Sequence, residues 1–108
     1  MKSEYFSFRE LLNPLYDLKV SNYSGWSGLE VFKFYVPKGK SLTNSIINEY
    51  KPDLIDKEKI FFTSDGHIKI ESKEFNFKLD KFDAIDFKNE QNYIFNSLSD
   101  TSIFMISS

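Results

Sequence analysis

The side chains that could carry out chemistry are few, and they do not form a familiar catalytic set. The 108 residues include one histidine, His67, and no cysteine. The lack of cysteine excludes disulfides, iron–sulfur clusters, thiolate zinc sites and cysteine nucleophiles. A lone histidine could act as a general base beside a carboxylate such as Asp65 or Glu71. Because His67 follows an Asp-Gly pair, we expect instead an exposed hairpin residue without a catalytic role.

The only tryptophan lies in the segment Gly25-Trp26-Ser27-Gly28-Leu29, which resembles half of the turn that presents a serine nucleophile. That turn needs glycine two residues on each side of the serine, and Leu29 occupies the second of these positions. Phosphate-binding and calcium-binding loop patterns are also missing from the sequence. The residues therefore predict no enzyme, no cofactor and no metal. Trp26 is either an exposed anchor for a partner or a plug over a small core, and both interpretations stay open.

Acidic residues recur near the C-terminal end at intervals of three, three and four, at Asp80, Asp83, Asp86 and Glu90. On a helix they would form one acidic stripe, whereas a strand would divide them between two faces. The stripe is interpreted either as a solvated face or as a surface that meets a basic partner.

A basic group, formed by Lys33, Lys38 and Lys40 beside the aromatic Tyr35, suggests an alternative in which bases stack on rings and lysines contact phosphates. The same lysines are typical of a solvated turn, which we favour. The net charge of −2 also lacks the basic excess of dedicated nucleic-acid-binding proteins, so nucleic acid is not an expected partner.

Apolar periodicity predicts short helices at residues 3–13 (ending at Pro14), from Ser41 as N-cap to a stop at Pro52, and over residues 90–98. Residues 21–28 are predicted to form a loop. Strands are predicted at 30–36, 75–79, 81–88 and 102–106, with a hairpin over 59–72 around Asp65-Gly66. The predicted fold is one domain, residues 1–108, of the α+β class: a mainly antiparallel sheet, a meander with the 59–72 hairpin, packed with two or three short helices.

By elimination and by analogy with a class of proteins, these features predict a non-enzymatic protein-binding inhibitor, such as a bacterial immunity protein that occludes a toxin's active site. Its partner would be a protein with a basic surface, such as a toxin or nuclease. The alternative is a small RNA- or single-strand-binding module. The predicted contact residues are aromatic anchors and carboxylates: Tyr23, Trp26, Tyr35, Asp80, Asp83, Asp86 and Glu90. The first ten residues contain no apolar stretch of the kind a signal peptide needs, and the longest apolar run has four residues, so we expect a cytoplasmic protein without a membrane span.

Overall fold

The computed structural model describes residues 9–24, 29–87 and 92–107. In these ranges the chain forms ten strands, one α-helix and one 3-10 helix. The strands are β1 (Arg9–Leu15), β2 (Leu18–Ser24), β3 (Glu30–Val36), β4 (Ser41–Thr43), β5 (Lys59–Asp65), β6 (Ile68–Ser72), β7 (Asn76–Leu79), β8 (Ala84–Phe87), β9 (Tyr93–Ser97) and β10 (Thr101–Ser107). The α-helix is α1 (Asn44–Tyr50), and the 3-10 helix is Pro52–Leu54.

The strands form two antiparallel sheets that pack face to face. The six-stranded sheet has the order β1-β2-β3-β10-β5-β8, and the four-stranded sheet has the order β4-β9-β6-β7. Consecutive strands often lie in different sheets, and β10, the last described strand, is inserted between β3 and β5. The result is a mainly β double-sheet sandwich, so the predicted α+β class with two or three helices is wrong.

Alternating side chains explain why these segments are strands. In β3, Phe32, Phe34 and Val36 are buried while the residues between them are only partly covered, as the sequence predicted. The register places Phe34 opposite Val20 of β2 and opposite Ile103 of β10, so three strands contribute to one buried layer.

Aromatic rings fill the centre of the sandwich. The ring centroid of Phe61 lies 4.9 Å from that of Phe95, 5.6 Å from Phe87 and 5.7 Å from Tyr93. Phe87 and Tyr93 also stack on each other, 4.5 Å apart. Burial raises the pKa of the Tyr93 hydroxyl, which keeps this ring neutral at physiological pH. The core is thus built from few large side chains, with rings in tilted and edge-on contacts.

Two predicted helices are strands. The apolar residues assigned to a helix over 3–13 belong in part to β1, which begins at Arg9, and residues 3–8 lie outside the described residues. Pro14 is tolerated there because β1 is an edge strand of its sheet. Within the helix predicted over 90–98, residues 93–97 form β9, whose Tyr93, Phe95 and Ser97 are buried on one face, while residues 90–91 lie outside the described residues. Residues 21–24, predicted as loop, complete β2.

The middle helix was predicted correctly in kind but not in extent. Residues 41–43 form β4, and α1 starts at Asn44. Thr43, not Ser41, is the N-cap, because its hydroxyl accepts a hydrogen bond of 3.2 Å from the amide of Ile46. Pro52 opens the following 3-10 helix, where its missing amide costs nothing.

The predicted hairpin over 59–72 is also corrected. Both of its strands exist, but β5 belongs to the six-stranded sheet and β6 to the four-stranded sheet, so they do not pair. Of the two turn residues only Gly66 has a positive φ, of 87°. The Asp65-Gly66 turn therefore carries the chain from one sheet to the other. The strands predicted at 30–36, 75–79, 81–88 and 102–106 are confirmed as β3, β7, β8 and β10, and β6 and β7 do form a hairpin.

Helices in the described ranges include none with both the length and the apolar character needed to cross a membrane.

Candidate functional site

A surface depression with a volume of about 500 Å³ lies beside the turn that joins β1 to β2. Its lining combines apolar side chains, one aromatic ring and two charged groups: Leu12, Asp17, Leu18, Lys19, Tyr35 and Pro37. This volume falls within the range of small-molecule sites, which are mostly apolar with a few polar groups.

Strand register brings the lining together. Lys19 of β2 lies opposite Tyr35 of β3, so both side chains leave the same face of the six-stranded sheet. Leu12 of β1 pairs with Ser21, two residues beyond Lys19, and therefore shares that face. We call this the outer face, because it is turned away from the four-stranded sheet.

The Tyr35 ring is held in place by a neighbouring cation. The Lys33 ammonium lies 5.1 Å from the centroid of the Tyr35 ring and 5.3 Å from that of Phe104. These distances are within the range of cation–π attraction. Lys33 therefore contacts both a ring that lines the depression and the Phe104 ring of β10.

Asp17, one of the lining residues, forms an ion pair with a lysine. Lys40 Nζ lies 3.0 Å from Asp17 Oδ2. The hydrogen bond from the Lys40 ammonium holds the pKa of the Asp17 carboxyl below its ordinary value of 3.8. Asp17 is consequently ionised at neutral pH, which suits it to accept hydrogen bonds and not to donate a proton.

The acidic residues predicted from sequence do not form one stripe. Asp80 accepts a hydrogen bond from the His67 ring at 2.7 Å, which lowers the pKa of Asp80. Asp83 accepts a hydrogen bond of 2.8 Å from the Asp80 amide and closes the turn before β8. Asp86 is exposed on β8. Glu90 lies outside the described residues, and a basic protein partner for these carboxylates stays a prediction.

The aromatic residues predicted as anchors are likewise separated. Tyr35 lines the depression. Tyr23 is half-buried on the outer face, with its ring centroid 5.9 Å from that of Phe104. Trp26 lies outside the described residues, so whether it is an anchor or a plug stays open. The basic group proposed for nucleic acid is also divided, because Lys33 contacts rings while Lys40 pairs with Asp17.

The residues that line the depression, apart from Tyr35, escaped prediction. Leu12 had been assigned to a helix, which gave it the wrong neighbours. Asp17 and Lys19 are close in sequence, and the pairing of β1 with β2 and of β2 with β3 brings them beside Leu12 and Tyr35. The available signal was Pro14 with Asp17 three residues later, which is more typical of a strand end and turn than of a helix interior.

A metal centre inside the sandwich would need several ligating side chains that point inward. Among the residues described, no group of three or more histidine, cysteine, aspartate or glutamate side chains is placed to hold a metal ion. Lys59 is the one lysine buried among the described residues, and its ammonium donates to the carbonyl of Leu54 at 2.5 Å and to that of Lys57 at 3.0 Å. The described interior thus offers aromatic packing in place of a ligand set.

Comparison with known proteins identifies the fold. No protein-family model and no curated protein matches this chain. Among solved structures, the chain is similar to an RmlC-like cupin from Shewanella frigidimarina, with a TM-score of 0.74, 14% identity and coverage of 98% of this chain and 91% of that chain. It is also similar to KdgF from a Halomonas species, with a TM-score of 0.69, 11% identity and coverage of 90% and 85%.

A third similar structure is an HTH_3 family transcriptional regulator from Vibrio cholerae, with a TM-score of 0.66 and 14% identity. The match covers 85% of this chain but 51% of the regulator. At these identities the likeness establishes the fold alone, which is that of the cupin double-sheet sandwich.

The cupin fold overturns the predicted function. The immunity protein was inferred by elimination and by analogy, and the alternative nucleic-acid-binding module from aromatic residues beside lysines. The chain instead has a mainly β cupin sandwich, and the similar solved structures include several named as cupins. Both interpretations were therefore wrong.

Proposed function

We propose that the protein is a non-catalytic, carbohydrate-binding domain of cupin fold, which holds its ligand in the depression beside the β1–β2 turn. The observation that carries this proposal is the combination, in one depression, of the Tyr35 ring, apolar side chains and the Asp17–Lys40 ion pair. A sugar ring has apolar C–H faces and hydroxyl edges, and this lining offers a partner for each.

The binding chemistry follows from the two kinds of lining group. The Tyr35 ring with Leu12 and Pro37 supplies apolar surface against which a sugar face can pack. The Asp17 carboxylate can accept hydrogen bonds from two adjacent hydroxyls, and the ammonium of Lys19 can donate one. Hydrogen bonds to charged groups are stronger than neutral ones, so a few of them can orient a small ligand.

The proposal of binding without catalysis rests on the ionisation state of Asp17, the one carboxylate among the described lining residues. A general acid at neutral pH needs a raised pKa, and glycoside chemistry commonly uses two carboxylates. The pKa of Asp17 is lowered by Lys40, and the described residues contribute no second carboxylate to the lining. The described lining therefore favours holding a sugar over cleaving or rearranging it.

The test is titration of the isotope-labelled protein with a panel of neutral hexoses and pentoses, followed by NMR. We expect shifts confined to residues around the depression, with dissociation constants in the millimolar to micromolar range that is typical of small, exposed sites. Tyr35→Ala should abolish binding, whereas Tyr35→Phe, which keeps the ring, should retain it. Phe77→Ala is the matched control, since Phe77 is an exposed ring on the other sheet.

Three results would count against the proposal. If no sugar in the panel changes the chemical shifts of the protein, or if the changes map to another region, the depression is not the binding site. Equal sugar affinity of the wild type and of Tyr35→Ala would show that the Tyr35 ring does not contribute to binding. Conversion of a sugar, seen in the ligand's own NMR spectrum, would show that the domain is catalytic.

A further inference from the structure

The turn between β1 and β2 has a tyrosine at a position that favours glycine. Leu15 pairs with Leu18, so Tyr16 and Asp17 are the two central residues of a two-residue hairpin turn. Tyr16 has a φ of 56°, whereas Asp17 is not among the residues with positive φ. A positive φ at the first central residue alone is the pattern of a type II′ turn, in which glycine usually occupies that position. Tyr16 therefore carries a backbone cost that glycine would avoid.

Burial does not explain the tyrosine, because its ring is largely exposed. Tyr16 is 66% exposed, so its ring adds little to the hydrophobic core. Its hydroxyl donates a hydrogen bond to the carboxylate of Glu49, on α1. This hydrogen bond raises the pKa of Tyr16, so the hydroxyl keeps its proton and remains a donor at neutral pH. Strained residues of this kind, held by contacts from other elements, are frequent at functional sites.

The second turn residue, Asp17, lines the depression and is attached to a different part of the chain. Its carboxylate pairs with Lys40 at 3.0 Å. The Lys40 backbone is itself fixed, since its carbonyl accepts a 3.0 Å hydrogen bond from the Ser97 amide. An ion pair between exposed groups is weak by itself. The hydrogen bond of Tyr16 to α1 therefore gives the turn a second point of attachment.

We propose that Tyr16 is a positioning residue, whose hydroxyl, bonded to Glu49, holds the β1–β2 turn so that Asp17 faces the ligand in the depression. The inference rests on the proposed sugar site, because it takes Asp17 as a ligand contact. Without this hydrogen bond, Asp17 occupies its place for only part of the time, and the apparent affinity falls in proportion to that fraction. A fraction between about a third and a tenth lowers sugar affinity about three- to tenfold.

The first experiment separates positioning from a role in the fold, because the two predict different results for Tyr16→Gly. Glycine relieves the positive φ, so the melting temperature should equal or exceed that of the wild type. Sugar affinity, measured by the NMR titration, should nevertheless fall about three- to tenfold. Tyr16→Phe keeps the ring, removes the hydroxyl and should give the same loss. Tyr50→Phe is the matched control: it removes a hydroxyl from the helix that carries Glu49 and should leave affinity unchanged.

Substitutions of Glu49 test whether the hydrogen bond itself is responsible. Glu49→Gln keeps an oxygen that can accept from the Tyr16 hydroxyl and should retain sugar affinity. Glu49→Ala removes the acceptor and should weaken binding as much as Tyr16→Phe does. Because both changes break one contact, the double variant should bind sugar no more weakly than either single variant.

A titration without sugar tests the turn independently of the ligand. The hydrogen bond from Lys40 holds the pKa of the Asp17 carboxyl below 3.8 in the wild type. If Tyr16→Phe loosens the turn, this contact is made for less of the time, and the pKa of Asp17 should rise toward 3.8 in an NMR titration. The pKa of Asp17 should stay at the wild-type value in Tyr50→Phe.

Two results would overturn the positioning role: wild-type sugar affinity in Tyr16→Gly, or an unchanged Asp17 pKa in Tyr16→Phe. A Tyr16→Gly variant that loses affinity and melting temperature together would assign Tyr16 to the fold and would also overturn it. If the wild type binds no sugar, the proposed function fails. The Asp17 titration then still decides whether Tyr16 positions this carboxylate, so the two failures are recognised separately.

Discussion

The Thr63 hydroxyl is the clearest defect in the core, and it gives the sharpest prediction about stability. Thr63 is completely buried, and its Oγ1 atom is buried without a hydrogen-bond partner among the described residues. The backbone groups of this residue are satisfied, because its amide donates to the Asp83 carbonyl at 2.9 Å and its carbonyl accepts from the Phe82 amide at 2.7 Å. The penalty therefore belongs to the hydroxyl alone.

Thr63→Val exchanges that hydroxyl for a methyl group of similar size and keeps the β-branched shape that suits a strand. An unsatisfied buried polar group costs about 1–3 kcal/mol. We expect the variant to be more stable by about 1 kcal/mol, the low end, since some of the penalty is relieved by hydroxyl rotation. For a domain of 108 residues this corresponds to a rise in Tm of about 4 °C.

Thr63→Ser is the matched control, because it keeps the hydroxyl and removes the methyl group. It should lower stability by about 1 kcal/mol through lost burial and a small cavity. Chemical denaturation and calorimetry of the three proteins measure both differences. A loss of stability in Thr63→Val would show that the hydroxyl is hydrogen-bonded after all, for instance to a buried water, and would refute the reasoning.

Three further changes test the core, a turn and an ion pair. Phe61→Ala removes the ring at the centre of the aromatic cluster and should cost about 3–5 kcal/mol in denaturant unfolding; a cost below about 1 kcal/mol would mean that the neighbouring rings collapse into the space. Gly66→Ala should be far more destabilising than Gly39→Ala. Both glycines have positive φ, but a Cβ at Gly66 would overlap the Asp100 carbonyl oxygen, while none of the described atoms lies within 4 Å of a Cβ at Gly39. Equal melting temperatures for the two variants would contradict this. His67→Ala should raise the pKa of Asp80 toward 3.8 in an NMR titration, because the hydrogen bond that lowers it is lost. That hydrogen bond stabilises the fold at pH values above the ordinary pKa of Asp80, and the stabilisation is lost as the pH falls through the lowered pKa. If the pKa of Asp80 is the same in the wild type and in His67→Ala, the contact does not persist in solution.

Local signals predicted strands wherever burial alternates cleanly. The segments that became β3 and β10 place large apolar side chains on one face, and both were predicted with nearly correct bounds. The same rule failed for β9, because Ile94 interrupts the contrast between faces and the polar residues before Tyr93 favour a helix start. It failed for β1 because that edge strand exposes Leu11 and Leu12, whose spacing also fits a helix.

Sheet pairing could not be read from the sequence, since it depends on contacts between distant segments. The Asp65-Gly66 pair has the chemistry of a hairpin turn, yet the turn is packed against residues 98–101. The His67 carbonyl accepts hydrogen bonds from the Leu98 amide at 3.0 Å and from the Thr101 hydroxyl at 2.9 Å. These contacts direct β6 into the second sheet and leave β5 to pair with β10. The candidate site depends on the same long-range order, so only Tyr35 among its residues was predicted.

Aromatic rings fill the interior, so the proposed sugar site lies on the outer face, where a lysine contacts its ring. The Lys33 ammonium contacts the Tyr35 ring of the sugar site and the neighbouring Phe104 ring. Each cation–π contact at a partly exposed site contributes about 0.5–1 kcal/mol, or roughly two- to fivefold in affinity. Lys33→Met should therefore weaken sugar binding by about that factor. Titration of the wild type and of this variant with sugar, followed by NMR, measures the difference, and equal affinities would show that the lysine does not support the ring.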